Sequence, residues 1–133
     1  MRVEKGLVTF CRRIRLLSER DTNKTVVHVF RVVLQRGRKG NFGSTEIAEI
    51  GELNRITCIH HLKRLARAGI IEKDGIKYRL KSGSLLEIVE GLRKRQIEMF
   101  DDMDDIAKSI DKDIFEKLGE NHGERKARTI SVK

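Results

Sequence analysis

The chain has 133 residues, of which 37% are charged and 38% hydrophobic, and its mean hydropathy is −0.46. This length predicts one folded domain with a modest core and room for an appendage. No apolar run approaches membrane-spanning length, which argues against an integral membrane protein. Two cysteines lie 47 positions apart without a secretory segment, so the sequence predicts a cytoplasmic protein rather than a disulfide-bonded secreted one.

The formal net charge of +9 is unevenly distributed along the chain. Residues 1–80 carry 18 Lys and Arg against 8 Asp and Glu, whereas residues 81–133 carry 11 against 12. All of the excess positive charge therefore belongs to the first 80 residues, as expected for a surface that neutralises nucleic-acid phosphates. A general solubility charge is the alternative interpretation.

Two helices are predicted first, over residues 3–19 and about 23–35. The apolar face of the first consists of Leu7, Phe10, Ile14 and Leu17. The second is apolar on nearly all sides, and its length favours a buried central helix although its valines also suit a strand. The basic segment 37–43 is predicted to be a flexible loop, either touching phosphate or simply connecting.

The segment 44–80 predicts a helix, a tight turn, a second helix and a β-hairpin. Ser44 and Thr45 are typical helix N-cap residues, and Gly51 is predicted to end the short helix. Asn54 suits the cap of a second helix over residues 54–68, which Gly69 then stops in a left-handed conformation. Strands over 70–73 and 76–80, joined by an Asp-Gly turn at 74–75, complete the hairpin.

The second helix of this segment is amphipathic. Its predicted apolar stripe consists of Cys58, Ile59, Leu62, Leu65 and Ala66. Its polar side and the hairpin supply the candidate DNA-binding residues, which are Arg55, Thr57, His60, His61, Lys63, Arg64, Arg67, Lys73, Lys77 and Arg79. Arg55, Thr57, His60, His61 and Arg64 are expected nearest the bases, and the hairpin is predicted to be a basic wing that grips phosphate.

These motifs resemble the ArsR-type winged helix-turn-helix transcription regulators and their archaeal relatives. The resemblance rests on Ile47-Ala48-Glu49, on Cys58, on the run HLKRL at 61–65 and on AGII at 68–71, aligned without a gap. Residues 26–37 also resemble the preceding helix of that family, so the resemblance covers about residues 25–80. It implies a winged helix-turn-helix fold whose second helix enters the DNA major groove.

Two positions depart from the family pattern. Glu52 stands where the family often has the glycine of the turn, and Gly51 comes one residue earlier. Ile59 stands where the family often has a small polar residue that helps to read DNA.

Residues 82–118 are predicted to form one long dimerisation helix that resembles a coiled coil. The seam positions, spaced alternately by four and three, are Leu85, Val89, Leu92, Gln96, Met99, Met103, Ile106 and Ile110. The 35 residues from 84 to 118 would span roughly 52 Å as a helix, longer than so small a core can cover. A second copy is therefore the expected partner, with folding back onto its own domain as the alternative. The remaining residues, 119–133, are predicted to be a flexible charged tail.

Catalytic and metal sites are not predicted. Asp101, Asp102, Asp104 and Asp105 wrap around the long helix and cannot converge on one cation. Some ArsR-type proteins sense metals, for which the candidates here are Cys58 with His61 or Cys11 across a dimer, but no Cys-x-Cys pair occurs. Cys58 on an apolar stripe is more simply a small buried thiol.

The sequence as a whole predicts a mainly α fold with a small β-hairpin. It is divided into a winged helix-turn-helix domain (1–81), the dimerisation helix (82–118) and the tail (119–133). The predicted function is a homodimeric, sequence-specific DNA-binding transcription regulator, not an enzyme. Its expected partners are double-stranded DNA and a second copy, without a cofactor or an identifiable small-molecule effector. The alternative is a winged helix used for protein assembly or RNA binding.

Overall fold

The computed structural model describes residues 3–18 and 24–122, with side chains described as far as Glu116. The described elements are α1 (Val3–Arg13), α2 (Thr25–Gly37), α3 (Ser44–Gly51), α4 (Arg55–Arg67), β1 (Ile71–Asp74), β2 (Lys77–Leu80) and α5 (Leu85–His122). The protein is thus mainly helical, with a small antiparallel hairpin and a long C-terminal helix, as predicted. None of the described helices is both long and apolar enough to cross a membrane.

Helix α1 ends earlier than the predicted residue 19, which lies outside the described residues. Arg15 adopts a left-handed backbone conformation with φ of 70°, and this reverses the chain after Arg13. The backbone amides of Leu16 and Leu17 both donate to the carbonyl of Cys11, at 2.8 and 3.2 Å. This arrangement buries both leucines, whereas a continuing helix would direct adjacent residues about 100° apart.

Helix α2 forms the centre of the first part of the chain, packing against α1, α3, α4 and β2. Five valines and Phe30 are buried on it, so burial outweighs the modest helix propensity of β-branched residues and the helical prediction is confirmed. The helix runs two residues past the predicted end at 35, to Gly37.

The basic loop after α2 is anchored rather than flexible. Arg36 donates to the carbonyls of Gly40 and Asn41, at 3.2 and 3.1 Å. Phe42 is fully buried and exchanges two backbone hydrogen bonds with Tyr78 of β2, at 2.8 and 2.9 Å. These contacts attach the loop to the hairpin. The prediction of a flexible loop overlooked the buried Phe42 side chain.

Helices α3 and α4 are joined by a three-residue turn. Gly43 caps α3 with an extended backbone, so the predicted caps Ser44 and Thr45 lie inside the helix. Glu52 ends α3 in a left-handed conformation with φ of 55°, at the position where the resembled family often has glycine. Asn54 caps α4 as predicted, accepting hydrogen bonds from the amides of residues 56 and 57 at 2.8 and 3.2 Å.

The hairpin pairs Asp74 with Lys77, which moves its turn one residue beyond the predicted Asp-Gly pair. The turn residues are Gly75, with φ of 68°, and Ile76. Glycine first in a two-residue hairpin loop supplies the positive φ that such turns need. Gly69, before the hairpin, is left-handed as predicted, with φ of 86°.

The chain divides into two compact units, residues 1–90 and 91–133, and the boundary lies within α5. Ile88 is buried in the first unit, so the first turns of α5 belong there rather than to a separate segment beginning at 82. Helix α5 continues to His122, four residues beyond the predicted end at 118. Residues 123–133, most of the predicted tail, lie outside the described residues.

Candidate nucleic-acid interface

The inward side of α4 is fixed by three fully buried side chains, Cys58, Leu62 and Leu65. They pack α4 against α3 and α2, and their 4-and-3 spacing sets the rotation of the helix about its axis. The solvent-facing surface, which we call the outer face of α4, consists of Arg55, Ile56, Ile59, His60, Lys63 and Arg67, with Arg55 exposed because it is the first residue of the helix. All of these are exposed except Ile59, which is half-buried.

The outer face is rotated away from the side that the sequence predicts. Thr57, His61 and Arg64, expected nearest the bases, are half-buried. The Arg64 guanidinium donates to the carbonyl of Leu16 and to Nδ1 of His61, the latter at 3.4 Å. Arg64 therefore ties α4 to the segment after α1, and its contact with a base stays a prediction.

His61 lies in an environment that disfavours its charged form. Burial lowers the pKa of His61 below the ordinary value of 6.5, and the neighbouring Arg64 and His60 lower it further. A neutral imidazole accepts the Arg64 hydrogen bond, whereas a protonated one cannot. His61 is thus better suited to orienting Arg64 than to attracting phosphate.

Two apolar members of the outer face, Ile56 and Ile59, were not predicted as site residues. The prediction placed Ile59 on the buried stripe, which shifted the estimated rotation of the helix. Cys58, Leu62 and Leu65 alone give the observed rotation, and they place Ile56, Lys63 and Arg67 opposite. A narrower apolar stripe, without Ile59 and Ala66, would therefore have predicted the observed rotation of α4.

All of the charged side chains of α4 are basic. The helix contains four Arg or Lys residues, two histidines and no Asp or Glu. Of the four cations, Arg55, Lys63 and Arg67 are exposed on the outer face. A polyanion can approach this face without encountering an acidic group on the helix.

The hairpin is less basic than predicted. Arg79 Nε donates to Glu72 Oε2 at 2.7 Å, and Arg79 Nη1 lies 3.9 Å from Asp74 Oδ2. The hydrogen bond from Arg79 is the largest cause of the lowered pKa of Glu72. Lys73 and Lys77 are exposed, with Lys73 Nζ 5.4 Å from the centre of the Tyr78 ring. On the predicted basic wing, Arg79 is therefore already paired with carboxylates, whereas Lys73 and Lys77 are exposed.

The two cysteines are unpaired and fully buried. Burial raises the pKa of Cys11 to about 11 and raises that of Cys58 above its ordinary value, so both are thiols at neutral pH. Cys58 Sγ donates to the carbonyl of Ser44, 3.6 Å away. Within residues 3–18 and 24–116, no group of three or more His, Cys, Asp or Glu side chains is placed to hold a metal ion.

The first unit also contains an apolar pocket of about 410 Å³. Its apolar lining is Val3, Leu7, Phe10, Leu34, Leu80 and Leu85. The pocket accounts for the half-buried state of Leu85, the first of the predicted seam residues.

The exposure of the predicted seam residues of α5 differs between the two units. Leu85 and Val89 are half-buried in the first unit. In the second unit Leu92 is half-buried and Gln96 exposed, while Met99, Met103, Ile106 and Ile110 are 43%, 50%, 58% and 52% exposed. Ile97 and Phe100, each 54% exposed, widen this apolar surface.

No protein-family model matches the sequence, and a search of curated proteins gives no match either.

Proposed function

We propose that this protein is a winged helix-turn-helix transcription regulator that binds double-stranded DNA as a homodimer. The observation that carries the proposal is the outer face of α4, which is exposed, cationic and without an acidic residue. In helix-turn-helix proteins the second helix lies in the major groove while the first crosses the backbone. Helices α3 and α4 would take these two positions.

Elements around α4 support this assignment. The Asn54 cap holds the first turn of α4 in place, and N-terminal residues of a recognition helix are those that reach base edges. Arg36 Nε donates to Glu46 Oε2 at 2.6 Å, which links α2 to α3 and removes one carboxylate from competition for cations. Lys73 and Lys77 remain available on the wing for backbone phosphates.

The exposed seam of the second unit supports the homodimer. Seven large apolar side chains between Ile97 and Ile114 are at least 41% exposed, along a helix that has no other described element in its unit. Such a continuous stripe is favourable only when a partner covers it. A second copy offers the same stripe and also pairs two recognition helices with two half-sites.

Salt dependence of duplex binding tests the DNA proposal. If Arg55, Lys63 and Arg67 of both protomers each neutralise a phosphate, these contacts contribute about −5 to the slope of log K against log salt, and the wing lysines make it steeper. Lys63→Ala should make the slope about 2 units shallower, because it removes one contact per protomer. Lys108→Ala, in the second unit, is the control and should leave the slope unchanged. A flat response of the wild-type protein would contradict the proposal and favour an assembly module.

Sedimentation tests the dimer. Met103→Lys places a charge in the centre of the seam and should shift the protein towards monomer and weaken binding to two-half-site DNA. Asp104→Lys, one position away and off the seam, is the matched control and should remain dimeric. A wild-type protein that sediments as a monomer at micromolar concentration would contradict this part of the proposal.

A further inference from the structure

The outer face of α4 carries an apolar patch formed by Ile56 and Ile59, one turn apart. Ile56 is 78% exposed, which is far more than its neighbours on the inward side of the helix. A single exposed isoleucine is ordinary on a protein surface. This pair is distinctive because Arg55 precedes it and Lys63 and Arg67 follow it on the exposed surface of the helix, which favours an anionic partner.

The DNA major groove meets both requirements. Phosphates line its edges, and the only methyl group on its floor is the C5-methyl group of thymine. An isoleucine side chain has no hydrogen-bonding group, so it can read a base edge only through such a contact. The minor groove carries no methyl group and is read through hydrogen bonds and width.

The position of Ile56 is fixed before any ligand arrives. Its backbone amide donates to Asn54 Oδ1 at 2.8 Å, which orders the first turn of α4. A β-branched side chain in a helix also has one strongly preferred χ1 rotamer. The methyl groups of Ile56 therefore project from an ordered site and lose little conformational freedom when they are covered.

We propose that Ile56, with Ile59 beside it, reads thymine by contacting its C5-methyl group in the major groove. This inference rests on the proposed function, and it makes Ile56 a specificity-determining residue while the surrounding cations position the helix on phosphate. The expected target is a half-site with a thymine under the first two turns of α4.

Replacing thymine by deoxyuridine tests the inference, because it removes only the methyl group and leaves both hydrogen-bonding edges unchanged. Two random-sequence duplex pools are compared, identical except for thymine or deoxyuridine. The wild-type protein should bind the thymine pool more tightly, by about fourfold for each methyl contact. Single replacements in the best-bound sequence then identify the thymine that is read.

Protein variants separate a direct contact from an effect of the methyl group on DNA shape. Ile56→Ala should bind the thymine and deoxyuridine duplexes equally, with the affinity that the wild-type protein shows for deoxyuridine. The change lies at an exposed helical position where alanine is a good helix former, so folding should be unaffected. Ile76→Ala alters another exposed isoleucine, on the wing, and should keep the wild-type preference for thymine.

The outcomes also distinguish this inference from the function on which it rests. Duplex binding with equal affinity for thymine and deoxyuridine would overturn the thymine contact and leave the DNA-binding proposal intact. A preference for thymine that survives in Ile56→Ala would overturn the role of Ile56. Absence of any salt-dependent duplex binding would overturn both, and would favour an apolar, acidic protein surface as the partner of this face.

Discussion

Removing the cap of α4 is the perturbation that links folding to DNA binding most closely. Asn54 Oδ1 accepts from the amides of Ile56 and Thr57, at 2.8 and 3.2 Å, and Asn54→Ala removes that acceptor. Both amides then depend on water, since the first turn is exposed on one side. The loss of an Asn cap costs about 1 kcal/mol of stability.

The expected change in melting temperature follows from the size of the unit that contains α4. A cost of about 1 kcal/mol lowers Tm by about 4–8 °C in a unit of 60–100 residues. Circular dichroism of the full chain measures this change. Duplex affinity, measured well below Tm, should fall as well, because Arg55 and Ile56 lie on the turn that loses its cap.

Two further substitutions of Asn54 separate stability from affinity. Asn54→Ser keeps a capping acceptor and should retain both properties close to the wild-type values. Asn54→Asp also keeps the acceptor, and its negative charge interacts favourably with the positive end of the helix dipole, so it should preserve Tm. The same charge should weaken DNA binding, because it repels phosphate. An unchanged Tm for Asn54→Ala, or undiminished affinity for Asn54→Asp, would refute this reasoning.

Three further predictions concern the packing and titration of the first unit. Gly37→Ala should destabilise it by about 1–3 kcal/mol in denaturant unfolding, because the added Cβ would lie 2.7 Å from Leu80 Cγ; wild-type stability would contradict this clash. Glu52→Gly should raise stability by about 0.5–1 kcal/mol by relieving the left-handed conformation, and a lower denaturation midpoint would refute that. Because burial lowers the pKa of His61 in the folded state, stability should fall as pH drops below 6.5, and His61→Gln should reduce that fall in Tm; an identical pH profile would contradict it.

Local chemistry was enough to predict the elements of the first unit. The Asn54 cap, the left-handed Gly69 and the dense apolar surface of α2 each follow from residue types within one segment, and the structure has all three. The end of α1 was less predictable, because Arg15 adopts a left-handed conformation that ordinarily favours glycine.

Tertiary contacts account for most of the differences. The backbone pairing of Phe42 with Tyr78 joins segments 36 residues apart, and no local pattern indicates it. The rotation of α4 was mispredicted because Ile59 appeared apolar enough for the core. The hydrogen bond from Arg64 to the Leu16 carbonyl was not predicted, because Leu16 lies in a segment that was predicted to be helical. The ion pair between Arg79 and Glu72 likewise depends on the strand register, which places these two residues opposite each other.

We infer that the outer face of α4 lies in the DNA groove, and DNA cleavage by a reagent attached to that face tests this placement. Cys11 and Cys58 are fully buried thiols, so a Lys63→Cys variant can be labelled selectively with an iron chelate that cleaves nearby DNA. Lys5→Cys, at an exposed position on α1, is the matched control. We predict strong cleavage from position 63, confined to one short tract in each half-site, with weaker and less localised cleavage from position 5. Equal cleavage from both positions, or none from position 63 on DNA that the labelled protein still binds, would contradict the proposed interface.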